Sequence, residues 1–92
     1  MQFTSTDPRL SVLSLFPNPG NGVVFVNLGE HASGNGIIQI TDLSGRQVFQ
    51  QKVAAGYTLI QMDPSGLPEG MYLVSWYQSG VLRGRTKLVR SR

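Results

Sequence analysis

LPEGMYLVSWYQSGVLRGRTKLVR, running from Leu67 to Arg90, is the stretch whose reading decides the fold. It divides into a turn (Leu67 to Gly70), an apolar run (Met71 to Tyr77), a tight reversal (Gln78 to Gly80) and a basic run (Val81 to Arg90). Two β-prone runs joined by a short connection containing Gly predict a β-hairpin. The first run is apolar on both faces, with Tyr72, Val74 and Trp76 on one side and Met71, Leu73 and Tyr77 on the other. Such a strand belongs inside a sheet, with a second layer over one side. The second run places Arg83, Arg85 and Lys87 two residues apart on one face, and Leu82, Thr86 and Leu88 on the other. One face is expected to be solvated and charged while the other packs.

Upstream, the chain supplies the layers that this hairpin needs. Leu10 to Phe16 reads as a strand stopped by Pro17-Asn18-Pro19, because proline fixes φ and donates nothing to a ladder. Val23 to Leu28 is a second strand, with Val24, Val26 and Leu28 alternating against Val23, Phe25 and Asn27. A polar loop from Gly29 to Gly36 leads to a third strand, Ile37 to Thr41. Asp42-Leu43-Ser44-Gly45 then predicts a hairpin turn into Arg46 to Val53. There Asp42 bonds the backbone two residues on, and Gly45 takes positive φ at a bulge position. Tyr57 to Met62 is the fifth strand, and the tetrads Asp63 to Gly66 and Leu67 to Gly70 are turns. Seven short strands punctuated by Gly, Pro, Asn or Asp, with no helical period, predict an all-β, immunoglobulin-like antiparallel sandwich.

Size and composition set further bounds. A chain of 92 residues makes one small domain, burying roughly 60–65% of its unfolded surface. Its stability is expected at about 5–10 kcal/mol. Hydrophobic content of 40% against charged content of 14% excludes a disordered chain. The absence of cysteine excludes disulfides and thiolate metal sites. The net charge of +3 is unevenly spread. Arg83, Arg85, Lys87, Arg90 and Arg92 crowd the last ten positions with no acid, whereas the rest carries three cations against five acids, a net of −2. The result is a near-neutral body with a cationic last strand. No apolar run approaches the roughly 20 residues of a membrane span. Met1 to Pro8 reads as a methionine and a polar linker without the pattern of a signal peptide, so residues 1–9 are expected to be linker and 10–92 the domain.

Catalytic chemistry finds little support. The single histidine, His31, stands in a loop beside Glu30 with no second His or Cys to complete a metal site. Asp42 and Asp63 open turns, where aspartate is favoured for local backbone bonding, and Glu69 sits inside one. No enzyme activity, cofactor or metal is expected. Gly20-Asn21-Gly22 and Ser33-Gly34-Asn35-Gly36 precede strands, not the helix N-terminus that a phosphate loop requires. The basic strand beside Tyr72, Trp76 and Tyr77 raises the question of single-stranded nucleic acid. However, Tyr72 and Trp76 share the face that a sandwich buries, and charges on an edge strand ordinarily prevent edge-to-edge aggregation. An anionic surface, whether lipopolysaccharide or an acidic protein pore, is the better partner because it needs only a complementary field. Nucleic acid is not expected.

Four motifs occur in order along the chain: Pro17-Asn18-Pro19, Asp42-Leu43-Ser44-Gly45-Arg46, Leu67-Pro68-Glu69-Gly70-Met71-Tyr72-Leu73-Val74 and Lys87-Leu88-Val89-Arg90. Together they resemble the type A C-terminal sorting domain of the type IX (Por) secretion system of Bacteroidota. The resemblance spans about Leu10 to Arg92. The family commonly ends on lysines, where this chain has Arg90 and then Ser91-Arg92.

The resemblance implies a tag that directs a fused N-terminal cargo from the periplasm through the outer-membrane translocon to the cell surface. It further implies that a sortase-like peptidase removes the tag and joins the cargo to the surface. The recognised residues are expected to be Gly70, Tyr72, Lys87, Leu88, Val89 and Arg90. Pro17, Asn18, Pro19, Asp42, Gly45 and Arg46 are expected to shape the fold. A non-catalytic fibronectin-like adhesive or carbohydrate-binding module is the alternative, and it would require Trp76 to be exposed beside Tyr57 or Tyr77.

Overall fold

The computed structural model describes residues 13–18, 22–28, 35–64 and 66–91. The linker at 1–9, strand residues 10–12, Pro19, the turn at Gly20-Asn21, the loop holding Glu30 and His31, Ser65 and Arg92 lie outside the described residues. Seven strands follow one another with no helix among the described residues: β1 (Ser14–Phe16), β2 (Val24–Asn27), β3 (Gly36–Thr41), β4 (Gln47–Val53), β5 (Leu59–Met62), β6 (Gly70–Gln78) and β7 (Val81–Arg90). They form two antiparallel sheets, β1-β2-β5 and β4-β3-β6-β7. This is the sandwich that the strand count and turn spacing predict, with β4 paired to β3 through the Asp42–Gly45 hairpin turn. The Phe16–Pro17 peptide bond is cis.

The alternation read from the sequence sets the inner face. Val24, Val26 and Leu28 meet Ile60 and Met62 on the three-stranded side. Ile38, Ile40, Tyr72, Val74, Trp76 and Leu88 fill the four-stranded side. As its two apolar faces require, β6 is internal to its sheet, between β3 and β7. Trp76 is completely buried at the centre. Its ring lies against the backbone of Gly36, where a Cβ would overlap both the indole and the Tyr77 carbonyl. The largest core side chain therefore requires the smallest residue on the neighbouring strand.

Two reversals follow the turn chemistry in the sequence. The β6–β7 connection is two residues, Ser79 and Gly80, both at positive φ (53° and 80°), as a type I′ hairpin requires. Between β3 and β4, the Gly45 amide donates to the Asp42 carbonyl (3.0 Å) and Gly45 takes φ of 93°. Farther along, the Leu67 amide donates to the Pro64 carbonyl (3.1 Å), closing a turn one residue later than the Asp63 tetrad predicts.

The faces of β7 need one correction. A bulge between Trp76 and Tyr77 leaves Trp76 opposite Gly84 and Tyr77 opposite Leu82, so Arg83 is the additional residue. An extra residue reverses the side-chain parity of everything before it. Leu82 therefore stands beside Tyr77 on the outer face, together with Arg85 and Lys87, and not on the packed face with Leu88.

Gly36→Ala forces the Trp76 ring to move, and overpacking of this kind costs about 1–3 kcal/mol. Thermal unfolding should show Tm falling by roughly 4–8 °C per kcal/mol lost. Gly66→Ala, at a site open to solvent, should stay within about 0.5 kcal/mol of the parent.

Candidate functional site

The end of β7 is fastened to the opposite sheet by two side chains. Asn18, just past β1, lies along the free edge of β7. Its Nδ2 donates to the Lys87 carbonyl (2.9 Å) and its Oδ1 accepts from the Val89 amide (2.9 Å). One side-chain amide thus does what one residue of a further strand would do, and it caps an edge that would otherwise be open to pairing. Arg90, whose parity is that of Leu88, turns inward and is 3% exposed. Its Nη1 donates to the Gly22 carbonyl (2.9 Å), and its Nη2 reaches the Pro64 carbonyl at the long distance of 3.4 Å. No carboxylate among the described residues pairs with it, so its charge is met by carbonyl dipoles at the start of β2 and the end of β5.

The six residues expected to be recognised therefore divide by orientation. Tyr72, Leu88 and Arg90 are buried. The Tyr72 hydroxyl donates to the Pro68 carbonyl four residues upstream (2.7 Å), a corner that holds the β5–β6 connection onto β6. Gly70 opens β6 opposite Arg90 with φ of 146°, a conformation that L side chains rarely adopt. Lys87 is exposed and Val89 half-buried on the outer face. Gly70 and Met71 are exposed beside them. The inward turn of Arg90 was legible from its two-residue spacing from Leu88. The pairing of Asn18 with β7 had no signal in the sequence, because 69 positions separate Asn18 from Lys87.

On the opposite side of the sandwich, Gln51 of β4 donates from Nε2 to the Gln61 carbonyl of β5 (3.2 Å). Each lateral gap between the sheets is thus crossed by a side-chain amide. At the Gly70 end of the four-stranded sheet, on its β4 side, Asp42 organises its turn. Its Oδ1 accepts from the Ser44 hydroxyl (2.6 Å), the Ser44 amide (3.0 Å) and the Arg46 amide (3.0 Å). Arg46 Nε lies 3.3 Å from Oδ2. The Ser44 hydroxyl, followed by the Arg46 amide, holds the carboxyl below its ordinary value of 3.8. Asp42 and Arg46 therefore serve this turn, and nothing here gathers a nucleophile with a base.

The interior is filled, the Tyr72 corner is locked, and Arg85 and Lys87 are turned to solvent. The model of the family described as "Secretion system C-terminal sorting domain" matches residues 14–89, and the chain belongs to that family. No curated protein matches the chain. Membership makes it a sorting signal of the type IX (Por) system, which sends its protein to the cell surface or the extracellular space. The family is generally non-catalytic, and its domains interact with the type IX system. No helix among the described residues is long and apolar enough to cross a membrane.

Arg90→Ala removes a charged donor from two carbonyls, and hydrogen bonds to charged groups are each worth about 1.5–3 kcal/mol. Denaturant unfolding should show that loss, whereas Lys87→Ala, on the surface, should remain within about 0.5 kcal/mol. For Asp42, the folded pKa is depressed. The stability it contributes is therefore fully present above about pH 4 and is lost as pH falls through the lower folded value. Asp42→Asn should flatten that part of the acid-unfolding curve, as read by circular dichroism.

Proposed function

We propose that the folded domain is itself the address, read by the outer-membrane translocon, with Lys87 and Val89 beside the Gly70–Met71 corner as part of the recognised surface. Tyr72, Leu88 and Arg90 act from beneath, holding that surface in place. The observation that carries this reading is the double fastening of β7. Asn18 grips the strand at Lys87 and Val89, and Arg90 anchors its end to the other sheet. A terminal strand secured in this way shows a receptor a fixed pattern of charge, with no ordering cost at binding. An exposed aliphatic segment beside a cation suits a protein surface better than water alone.

In this reading the domain catalyses nothing. It carries a fused N-terminal cargo from the periplasm through the translocon, after which a sortase-like peptidase cuts upstream of the sandwich and the cargo is joined to the cell surface. A carbohydrate-binding role has no observation in its favour, since Trp76 is completely buried.

The test is a reporter fused to this chain in a Bacteroidota host with an intact type IX system. Lys87→Glu should leave Tm unchanged and shift the reporter from the surface to the periplasm by about tenfold, the equivalent of about 1.4 kcal/mol of recognition. Surface display equal to that of the parent would remove Lys87 from the recognised surface.

A further inference from the structure

The outer face of the four-stranded sheet combines aliphatic surface with positive charge. Its cross-strand rows follow from the registers: Lys52, Ile37, Tyr77 and Leu82 in one, Gln50, Gln39, Ser75 and Arg85 in the next, and Gln47, Thr41, Leu73 and Lys87 in the third. Met71 and Val89 close the face at the Gly70 corner. Ile37, Leu73, Tyr77, Leu82 and Val89 are each only half-buried, and Met71 is 45% exposed. A groove of about 750 Å³ opens over the first row, lined by Ile37, Gln39, Lys52, Tyr77 and Ser79.

Among the described residues, the charge on this face has one sign. Lys52, Arg85 and Lys87 stand on it, while the acids of the described residues (Asp42, Asp63 and Glu69) all lie in connections between strands. Arg85 is also held in position: its Nε donates to the Ser75 hydroxyl (3.1 Å), and Ser75 is almost completely buried. A hydroxyl in the middle of an apolar strand thus lays a guanidinium along the sheet. Fixed cations spaced among aliphatic and aromatic side chains complement a segment in which acidic and apolar residues alternate. An anionic glycan would satisfy the cations but leave Ile37, Leu73 and Leu82 without apolar contacts.

We infer that this face is a docking surface for an acidic, apolar-bearing segment of a partner protein, seated along the Ile37–Tyr77–Leu82 row and held by Lys52 and Arg85. The inference rests on the sorting reading for the partner's place, in the secretion machinery, but its chemistry is independent of that reading.

The probe is a short synthetic peptide of alternating Glu and Val, titrated into the 15N-labelled domain. Amide shifts are expected at Ile37, Tyr77, Leu82 and Arg85, and not at Phe16 or Phe25 on the other sheet. The double variant Lys52→Glu/Arg85→Glu and the apolar variant Ile37→Thr should each bind about tenfold more weakly. No binding, shifts on the other sheet, or a polyanionic polysaccharide binding more tightly with no effect of Ile37→Thr would each overturn the inference.

In cells, the charge-reversed double variant fused to a reporter should lose surface display by a similar factor. Display equal to that of the parent would overturn it even if the peptide binds. Should the unaltered fusion stay in the periplasm, the sorting reading fails, and the titration alone decides the face.

Discussion

The last strand of this protein is bound to a sheet of which it is not a member. β7 hydrogen-bonds with β6 along one side only; its other side would be an open edge at the boundary of the sandwich. Asn18 fills that edge at Lys87 and Val89, and Arg90 reaches beneath it to carbonyls of Gly22 and Pro64, which flank β2 and β5 at one end of the three-stranded sheet. These are short-range, directional contacts, and they convert two stacked sheets into a single closed body. Apolar packing alone does not fix register or orientation as hydrogen bonds do.

Burying an arginine without a carboxylate is costly unless its donors find oxygen. Here Nη1 and Nη2 reach main-chain carbonyls at Gly22 and Pro64, groups that need partners themselves once they are removed from water, while the buried Nε has no hydrogen-bond partner among the described residues. The charge is thereby spent on structure and is unavailable to a receptor. Lys87, two strand positions from Val89, keeps its ammonium in solvent. Side-chain parity divides the strand beyond the bulge: from Gly84 to Arg90, even positions face the core and odd positions the outside.

That division suits a sorting domain. The family of such domains is generally non-catalytic, and the core of this one is filled around Trp76 and Gly36. What it offers is an exterior whose features are fixed from within: Arg85 by Ser75, Lys87 by Asn18 on its backbone, and the Gly70 corner by Tyr72. A rigid exterior loses little entropy on binding, so modest contacts discriminate well.

Much of this was legible in the residues alone. Alternation at Val24, Val26 and Leu28, two apolar faces on β6, and Asp42 with Gly45 in their turn each express local physics, with period-two geometry and positive φ acting over a few positions. The class of fold and the order of motifs that mark the family follow from such local signals. Three things waited for the tertiary structure. The bulge at Arg83 moved Leu82 to the outer face, because one inserted residue reverses parity and leaves no trace in composition. The orientation of Arg90 became meaningful only when Gly22 and Pro64, far away in the chain, supplied its carbonyls. The role of Asn18 depended on β1 lying beside β7, a neighbour relation set by how two sheets stack. Local sequence dictates which strands form and which way their side chains alternate, whereas contacts between distant segments exist only once the layers have closed on each other.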